Sequence, residues 1–125
     1  MERVEFRVQG TAEDPYVVVF TREGDNITGR CSCPGSRMGG KNCKHRLSIL
    51  YACTDGIVSG NLDDVARVCG WMAGSDVETA LARRDAAEAV WADAKAQLKA
   101  AQAAEKQAKE DLEIAKAALG VALRN

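Results

Sequence analysis

The amino-terminal quarter of the chain alternates between apolar and polar positions with the two-residue period of β-strands. In the first run Val4 and Phe6 share one face, and Glu5 and Arg7 share the other. Turn-forming residues, among them the sequence Glu23–Asn26, separate this run from two further runs. The three runs cover Arg3–Val8, Tyr16–Phe20 and Ile27–Cys31. The pattern predicts a three-stranded antiparallel meander.

After the third strand the period changes to that of α-helices. Leu47 and Leu50 fall on one stripe of a segment that runs from Cys43 to about Ala52. A second segment, residues 61–73, spaces its apolar residues three and four positions apart. The sheet and these two short helices together predict an α+β fold.

The rest of the chain predicts one long helix. Ser75 and Glu78 have the spacing of a capping box, and the segment after them is rich in Ala, Lys, Glu, Gln and Leu, the strongest helix formers. At 1.5 Å per residue, residues 76–123 would form a helix of roughly 70 Å. We therefore divide the chain into a small domain at 1–55, a connecting helix at 56–74 and a long coiled-coil helix at 75–125.

This long helix has a seven-residue period. Alanine occupies the d position of each heptad, and most of the a positions, three residues earlier, are large and apolar. Small d residues let two helices approach closely, and the row resembles the Alacoil type of antiparallel pair. We expect residues 75–123 to self-associate or to bind a partner helix. The alternative is that an alanine-rich helix matches the heptad by chance, since Arg84 and Glu105 interrupt the a row. The expected interface comprises Trp91, Ala94, Leu98, Ala101, Ala108, Leu112, Ala115 and Leu119.

Length and composition limit the class of protein. A chain of 125 residues has room for one small domain and an appendage. No basic segment followed by an apolar core opens the sequence, and no apolar run approaches the length of a bilayer span. We therefore expect a soluble protein of the reducing cytoplasm with no membrane partner. In that compartment the five cysteines would not form disulfides.

Three of these cysteines and the single histidine lie close together in the sequence. Cys31 and Cys33 close the third strand, Cys43 and His45 open the next helix, and the segment Pro34–Asn42 forms a loop between the pairs. Three thiolates and one imidazole suit a closed tetrahedral zinc site, which has no open position for chemistry. Two alternatives compete with zinc. One is a set of buried free cysteines beside an exposed histidine, and the other is a redox dithiol of Cys31 and Cys33.

The order C-x-C, loop, C-x-H, after a meander and before a helix, resembles the SWIM zinc finger. The resemblance covers residues 3–54 and includes the sequences CSCP and CKH, with Arg46 where such fingers usually continue with an apolar residue. It implies binding of nucleic acid or protein rather than catalysis. We expect no enzyme, because the sequence has no nucleophile–base pair, paired carboxylates or phosphate loop. The zinc ligands that the resemblance implies are Cys31, Cys33, Cys43 and His45.

The distribution of charge favours nucleic acid. The formal net charge is −1, yet residues 26–54 contain five basic residues and no acidic ones. The candidate phosphate-binding residues are Arg30, Arg37, Lys41, Lys44 and Arg46. The alternative is that these charges only solvate the metal site. We expect a zinc module on an oligomerising helix that binds nucleic acid, DNA in preference to RNA. A protein-interaction adaptor, in which the finger is purely structural, is the alternative function.

Overall fold

A computed structural model of the protein describes residues 1–39 and 43–124, with the backbone alone for residues 37–39. These residues form the three predicted strands followed by the predicted helices, with one further short helix between them, and the α+β fold is confirmed. The elements are β1 Glu2–Val8, β2 Tyr16–Glu23, β3 Asn26–Cys31, α1 Pro34–Gly39, α2 Lys44–Leu50, α3 Asp63–Trp71 and α4 Asp76–Ala122. The chain divides into two units, Met1–Ala82 and Arg83–Asn125. The division into domains at residues 55 and 74 stays a prediction.

The three strands form one antiparallel sheet in the order β1–β2–β3. A two-residue loop joins β2 to β3, and its first residue, Gly24, has a φ of 62°. Two-residue hairpins require such a positive φ at that position, which glycine adopts without steric cost. The hairpin pairs Glu23 with Asn26 and, further along, Val18 with Cys31. The turn therefore fixes the place where the end of β3 lies against β2.

One face of the sheet packs against the two short helices α2 and α3. The alternation in β1 and β2 places Phe6 and Phe20 on this face, where their rings meet edge to face with centroids 6.4 Å apart. The buried aliphatic and aromatic residues are Val4, Phe6 and Val8 from β1, Val18 and Phe20 from β2, Ile49 from α2, and Val65, Val68 and Trp71 from α3.

The connection between β3 and α2 differs from the sequence prediction. The sequence predicts a loop over Pro34–Asn42, but the backbone of Pro34–Gly39 is helical and forms α1. Proline suits the first position of a helix, because its φ is preset and its missing N–H has no partner there. The predicted loop residues 40–42 lie outside the described residues.

The end of α2 also differs, because Ala52 adopts a left-handed backbone with a φ of 62°. Its N–H donates to Ile49 O over 2.9 Å, and the N–H of Cys53 donates to Ser48 O over 2.9 Å. These two hydrogen bonds form a Schellman motif, which usually has glycine at the left-handed position. Alanine gives no such stop signal, so the sequence predicts a helix that continues to about Ala52.

Residues 56–61 run along the outer edge of β1. The N–H of Val58 donates to Arg7 O over 2.8 Å. The side-chain amide of Asn61 donates to Glu5 O over 2.9 Å. The segment between α2 and α3 is therefore attached to the sheet by backbone and side-chain hydrogen bonds.

The capping signal at the start of α4 is confirmed. Ser75 Oγ accepts a hydrogen bond from the N–H of Glu78 at 3.4 Å, which satisfies one backbone donor of the first turn. The helix is continuous from Asp76 to Ala122, and none of its described side chains is buried. Among the described helices, none combines the length and the hydropathy that crossing a membrane requires.

Candidate metal centre

Four potential metal ligands converge where β3 ends and α2 begins. Cys31 is the last residue of β3, and Cys33 precedes α1. Cys43 is the N-cap residue of α2, and His45 lies in the first turn of that helix. Their ligand atoms all lie within 4.8 Å of one another. The structure therefore brings together the four residues that the sequence spacing indicates.

The distances and the burial of this cluster suit one zinc ion. With Zn–S bonds of about 2.3 Å, a tetrahedral site separates two sulfur ligands by about 3.8 Å. Cys31 Sγ lies 3.7 Å from His45 Nδ1, close to that spacing. None of the four residues is more than 9 % exposed. Three thiolates and an imidazole in this arrangement would enclose a metal ion on all sides, which is typical of structural zinc sites.

Burial and hydrogen bonding set the protonation of the thiols in the metal-free protein. Burial raises the pKa of Cys31 to about 12. Burial also acts to raise the pKa of Cys43, but the hydrogen bond from the Arg46 N–H, 3.4 Å from Sγ, and those from the neighbouring thiols outweigh it and lower this pKa. A helix start supplies such N–H donors, so Cys43 is the thiol best prepared to bind a cation as a thiolate.

His45 is held in the neutral form that a metal ligand needs. Burial lowers its pKa, and the charge of Lys44 lowers it further. Zinc must displace protons from the thiols when it binds, so its apparent affinity depends on pH.

A second layer of residues, which the sequence pattern did not indicate, positions the imidazole. The ring of Tyr16 packs on that of His45, with centroids 5.0 Å apart and planes inclined by 45°. Gly10 lies behind both rings, because a Cβ on it would be 3.3 Å from His45 Nε2. The hairpin register contains a signal for this contact. The register pairs Val18 with Cys31, and if it is continued for two more residues, Tyr16 falls opposite one of the metal ligands.

The segment that contains this site matches a known family. The family model of the SWIM zinc finger matches residues 6–53 of the 125-residue chain. Residues 6–53 form a SWIM zinc finger. The finger extends from β1 to the residues just after α2, and its ligand set supports Zn²⁺ as the bound metal. No curated protein and no solved structure matches the chain significantly.

Two of the basic residues predicted to bind phosphate lie on opposite faces of the SWIM finger's sheet. Arg30 is exposed on the outer face, where it lines a shallow depression with Thr21 and Thr28. Arg46 is half-buried on the inner side and donates from Nη1 to Gly29 O over 2.9 Å. Arg46 thus takes part in packing between α2 and β3, at the position where such fingers usually have an apolar residue.

The structure describes to different extents the other three basic residues that were predicted to bind phosphate. Lys44 is exposed and lines a cavity beside Cys43 and His45. Of Arg37 only the backbone is described, and Lys41 lies outside the described residues. Of the five residues predicted to bind phosphate, the structure therefore describes three side chains. Arg30 and Lys44 lie on the surface, and Arg46 packs between α2 and β3.

The predicted interface residues of α4 are exposed in the single chain. The large apolar side chains among them retain 53–63 % of their accessible surface: Trp91, Leu98, Leu112 and Leu119. The ammonium of Lys95 lies over the Trp91 ring, 4.3 Å from its centroid. On a continuous helix the heptad spacing places the alanines Ala94, Ala101, Ala108 and Ala115 along the same stripe.

Proposed function

We propose that this protein is a non-enzymatic zinc module that binds nucleic acid, DNA in preference to RNA, and that self-associates through α4. Zinc holds the sheet and α2 together, because a domain of this size has little core to stabilise it alone. The thiolate ligands suit a reducing compartment such as the cytoplasm.

The observation that carries the nucleic-acid proposal is the basic character of the outer face of the sheet. Strand alternation places Arg3 and Arg7 from β1 on this face, beside Arg30 from β3, and all three are exposed. Strand alternation also places two acidic residues on this face, Glu5 and the exposed Glu23 at the end of β2, and Glu5 pairs with Arg3 over 3.0 Å. Arg3 and Arg30 also border one depression. A flat surface with several guanidinium groups suits contacts to successive phosphates.

A fluorescence-anisotropy titration of zinc-loaded protein with labelled duplex DNA tests this proposal. Non-specific binding is expected with a dissociation constant between ~1 µM and ~100 µM at physiological salt, and with a smaller one at low salt. If three arginines contact phosphates, log K should fall with log[salt] with a slope of roughly −2.7. The double variant Arg3→Gln/Arg30→Gln should reduce this slope to about −0.9, because two phosphate contacts are lost. A hairpin RNA of equal length measures the preference for DNA.

The matched control is Arg22→Gln/Arg67→Gln, which removes the same charge from the half-buried Arg22 and the exposed Arg67, both of which pair with Glu2. It should retain most of the binding and most of the salt slope. Absence of binding up to about 100 µM protein excludes even ordinary non-specific affinity and overturns the nucleic-acid proposal. Equal losses in the two double variants would show that net charge acts, and not the outer face.

The proposed self-association rests on the apolar stripe of α4. A helix with Trp91, Leu98, Leu112 and Leu119 more than half exposed gains free energy when another helix covers that stripe. Analytical ultracentrifugation of the full chain should show a concentration-dependent dimer or higher oligomer. A monomer at high micromolar concentration would overturn this part of the proposal.

The same exposed stripe favours the second candidate function, an adaptor whose α4 binds a helix of another protein while the finger has only a structural role. Under this alternative the full chain would be monomeric, and the zinc-loaded finger would show no salt-dependent binding to DNA. The two measurements above therefore separate the candidates.

A further inference from the structure

The a and d rows of α4 differ in size as well as in position. Within residues 84–115 the a positions carry Arg84, Trp91, Leu98, Glu105 and Leu112, whereas each d position carries alanine. The helix is continuous over this whole range, and none of its described side chains is buried. The stripe is therefore available to a second copy, and its residues determine which orientation of that copy fits.

A parallel, in-register pair would place each a residue beside its own copy. Trp91 would meet Trp91, while the neighbouring layers would join two alanines, so wide and narrow layers would alternate along the pair. Arg84 would also face Arg84, and Glu105 would face Glu105. Like charges in a partly desolvated seam are unfavourable, and uneven layers leave voids or force the helices apart.

We propose that two copies of α4 pair antiparallel, with Leu98 of each copy opposite Ala101 of the other. This inference rests on the self-association proposed above. In an antiparallel pair each a residue faces a d residue, so every large side chain meets an alanine. In this register the facing pairs are Arg84 with Ala115, Trp91 with Ala108, Leu98 with Ala101, Glu105 with Ala94, and Leu112 with Ala87.

Charged residues at the e and g positions, beside the interface between the two helices, favour this register over the two registers shifted by one heptad. In the proposed register Glu88 of one copy lies near Lys109 of the other, and no like charges meet at the flanking e and g positions. A shift of one heptad in one direction brings Lys95 next to Lys95. The opposite shift brings Lys95 next to Lys109.

The two shifts also create opposite-charge pairs, Arg83 with Asp111 in the first and Glu88 with Lys116 in the second, and repulsion between the lysines offsets these pairs. The proposed register has the pair of Glu88 with Lys109 and no like-charge pair, so it is favoured over both neighbours.

Disulfide trapping in the full zinc-loaded chain tests orientation and register together. Two variants, Glu105→Cys and Ala94→Cys, are prepared in a Cys53→Ser/Cys69→Ala background, and one of them is labelled with ¹⁵N so that products differ in mass. After mixing and mild oxidation, the mixed 94–105 disulfide should exceed each homodimer at least tenfold. In the proposed pair each engineered cysteine is roughly 16 Å along the axis from its own copy, too far for a disulfide.

Ala87→Cys and Ala101→Cys are the matched controls, because each would pair with residue 105 only after a shift of one heptad. Each should give at least tenfold less mixed product than Ala94→Cys. Sedimentation of the background protein before oxidation separates two kinds of failure. A monomer overturns the proposed self-association itself. A dimer that yields homodisulfides, or more product with a control than with Ala94→Cys, overturns the orientation or the register alone.

Discussion

Gly10 gives a direct test of how the protein positions its histidine ligand. A Cβ on Gly10 would lie 2.5 Å from Tyr16 Cε2 and 3.0 Å from Tyr16 Cδ2. Carbon atoms normally approach to about 3.5–4.0 Å, so Gly10→Ala must displace the Tyr16 ring by about 1 Å. That ring packs on the His45 imidazole with centroids 5.0 Å apart. The displacement is therefore transmitted to a metal ligand.

The magnitude follows from the cost of overpacking, which is typically about 1–3 kcal/mol. If this strain acts on the zinc-bound arrangement, Gly10→Ala should weaken zinc binding by roughly 5- to 150-fold. The assay is competition with a chromophoric chelator at constant pH. In a Tyr16→Ala background the clash with the ring is absent and only the approach of 3.3 Å to His45 Nε2 remains, so Gly10→Ala should have a much smaller effect on zinc binding. Such non-additivity identifies the contact between the two residues as the cause.

Gly35→Ala is the matched control, since a Cβ on Gly35 meets no atom within 4 Å and Gly35 also lines the cavity beside the metal ligands. It should retain wild-type zinc affinity and gain a little helical stability in α1. Equal zinc affinities for Gly10→Ala and Gly35→Ala would refute the argument that Gly10 and Tyr16 position His45.

Three further predictions concern the metal and the end of α2. Cys43→Ser should lose both zinc and the cooperative unfolding transition, because the binding energy of such sites is largely folding energy. The control variant Cys53→Ser should keep both. Metal analysis measures the zinc content, and thermal denaturation measures the transition. Zinc should be released on acidification, seen with a zinc-sensitive dye. Because the pKa of His45 is lowered in the folded protein, stability is full above the ordinary histidine pKa and is lost as the pH falls from there through the lowered pKa. The thiolates also regain protons in acid. Ala52→Gly should raise the free energy of unfolding by up to about 1 kcal/mol in chemical denaturation, and Ala52→Val should lower it, because Ala52 has a φ of 62°.

The parts of the fold that depend on local signals could be predicted from the sequence. Alternation indicated the strands, and the spacing of Cys31, Cys33, Cys43 and His45 indicated the metal site, because these residues fall at the ends of adjacent elements. The end of α2 could not be predicted. Tertiary contacts hold Ala52 in a left-handed conformation that its intrinsic preference disfavours.

Residues that act through contacts between distant segments of the chain also could not be predicted from the sequence. Tyr16 reads as an ordinary strand residue until the hairpin register places it near the metal ligands. From the sequence alone, Arg46 is one more positive charge near a glycine-rich loop. Its side chain is long enough to place its guanidinium at Gly29 O, and this packing role has no signature in the spacing of charges.

The attachment of residues 56–61 to β1 protects the sheet from misassembly. A free edge strand offers its N–H and C=O groups to any extended chain and so serves as a template for aggregation. Along β1, Val58 and Asn61 already occupy the carbonyls of Arg7 and Glu5. An incoming strand would have to displace a segment of the same chain, which is always present at high effective concentration. Strand exchange and amyloid-like growth from this edge are thereby suppressed, even when many newly made copies are crowded together.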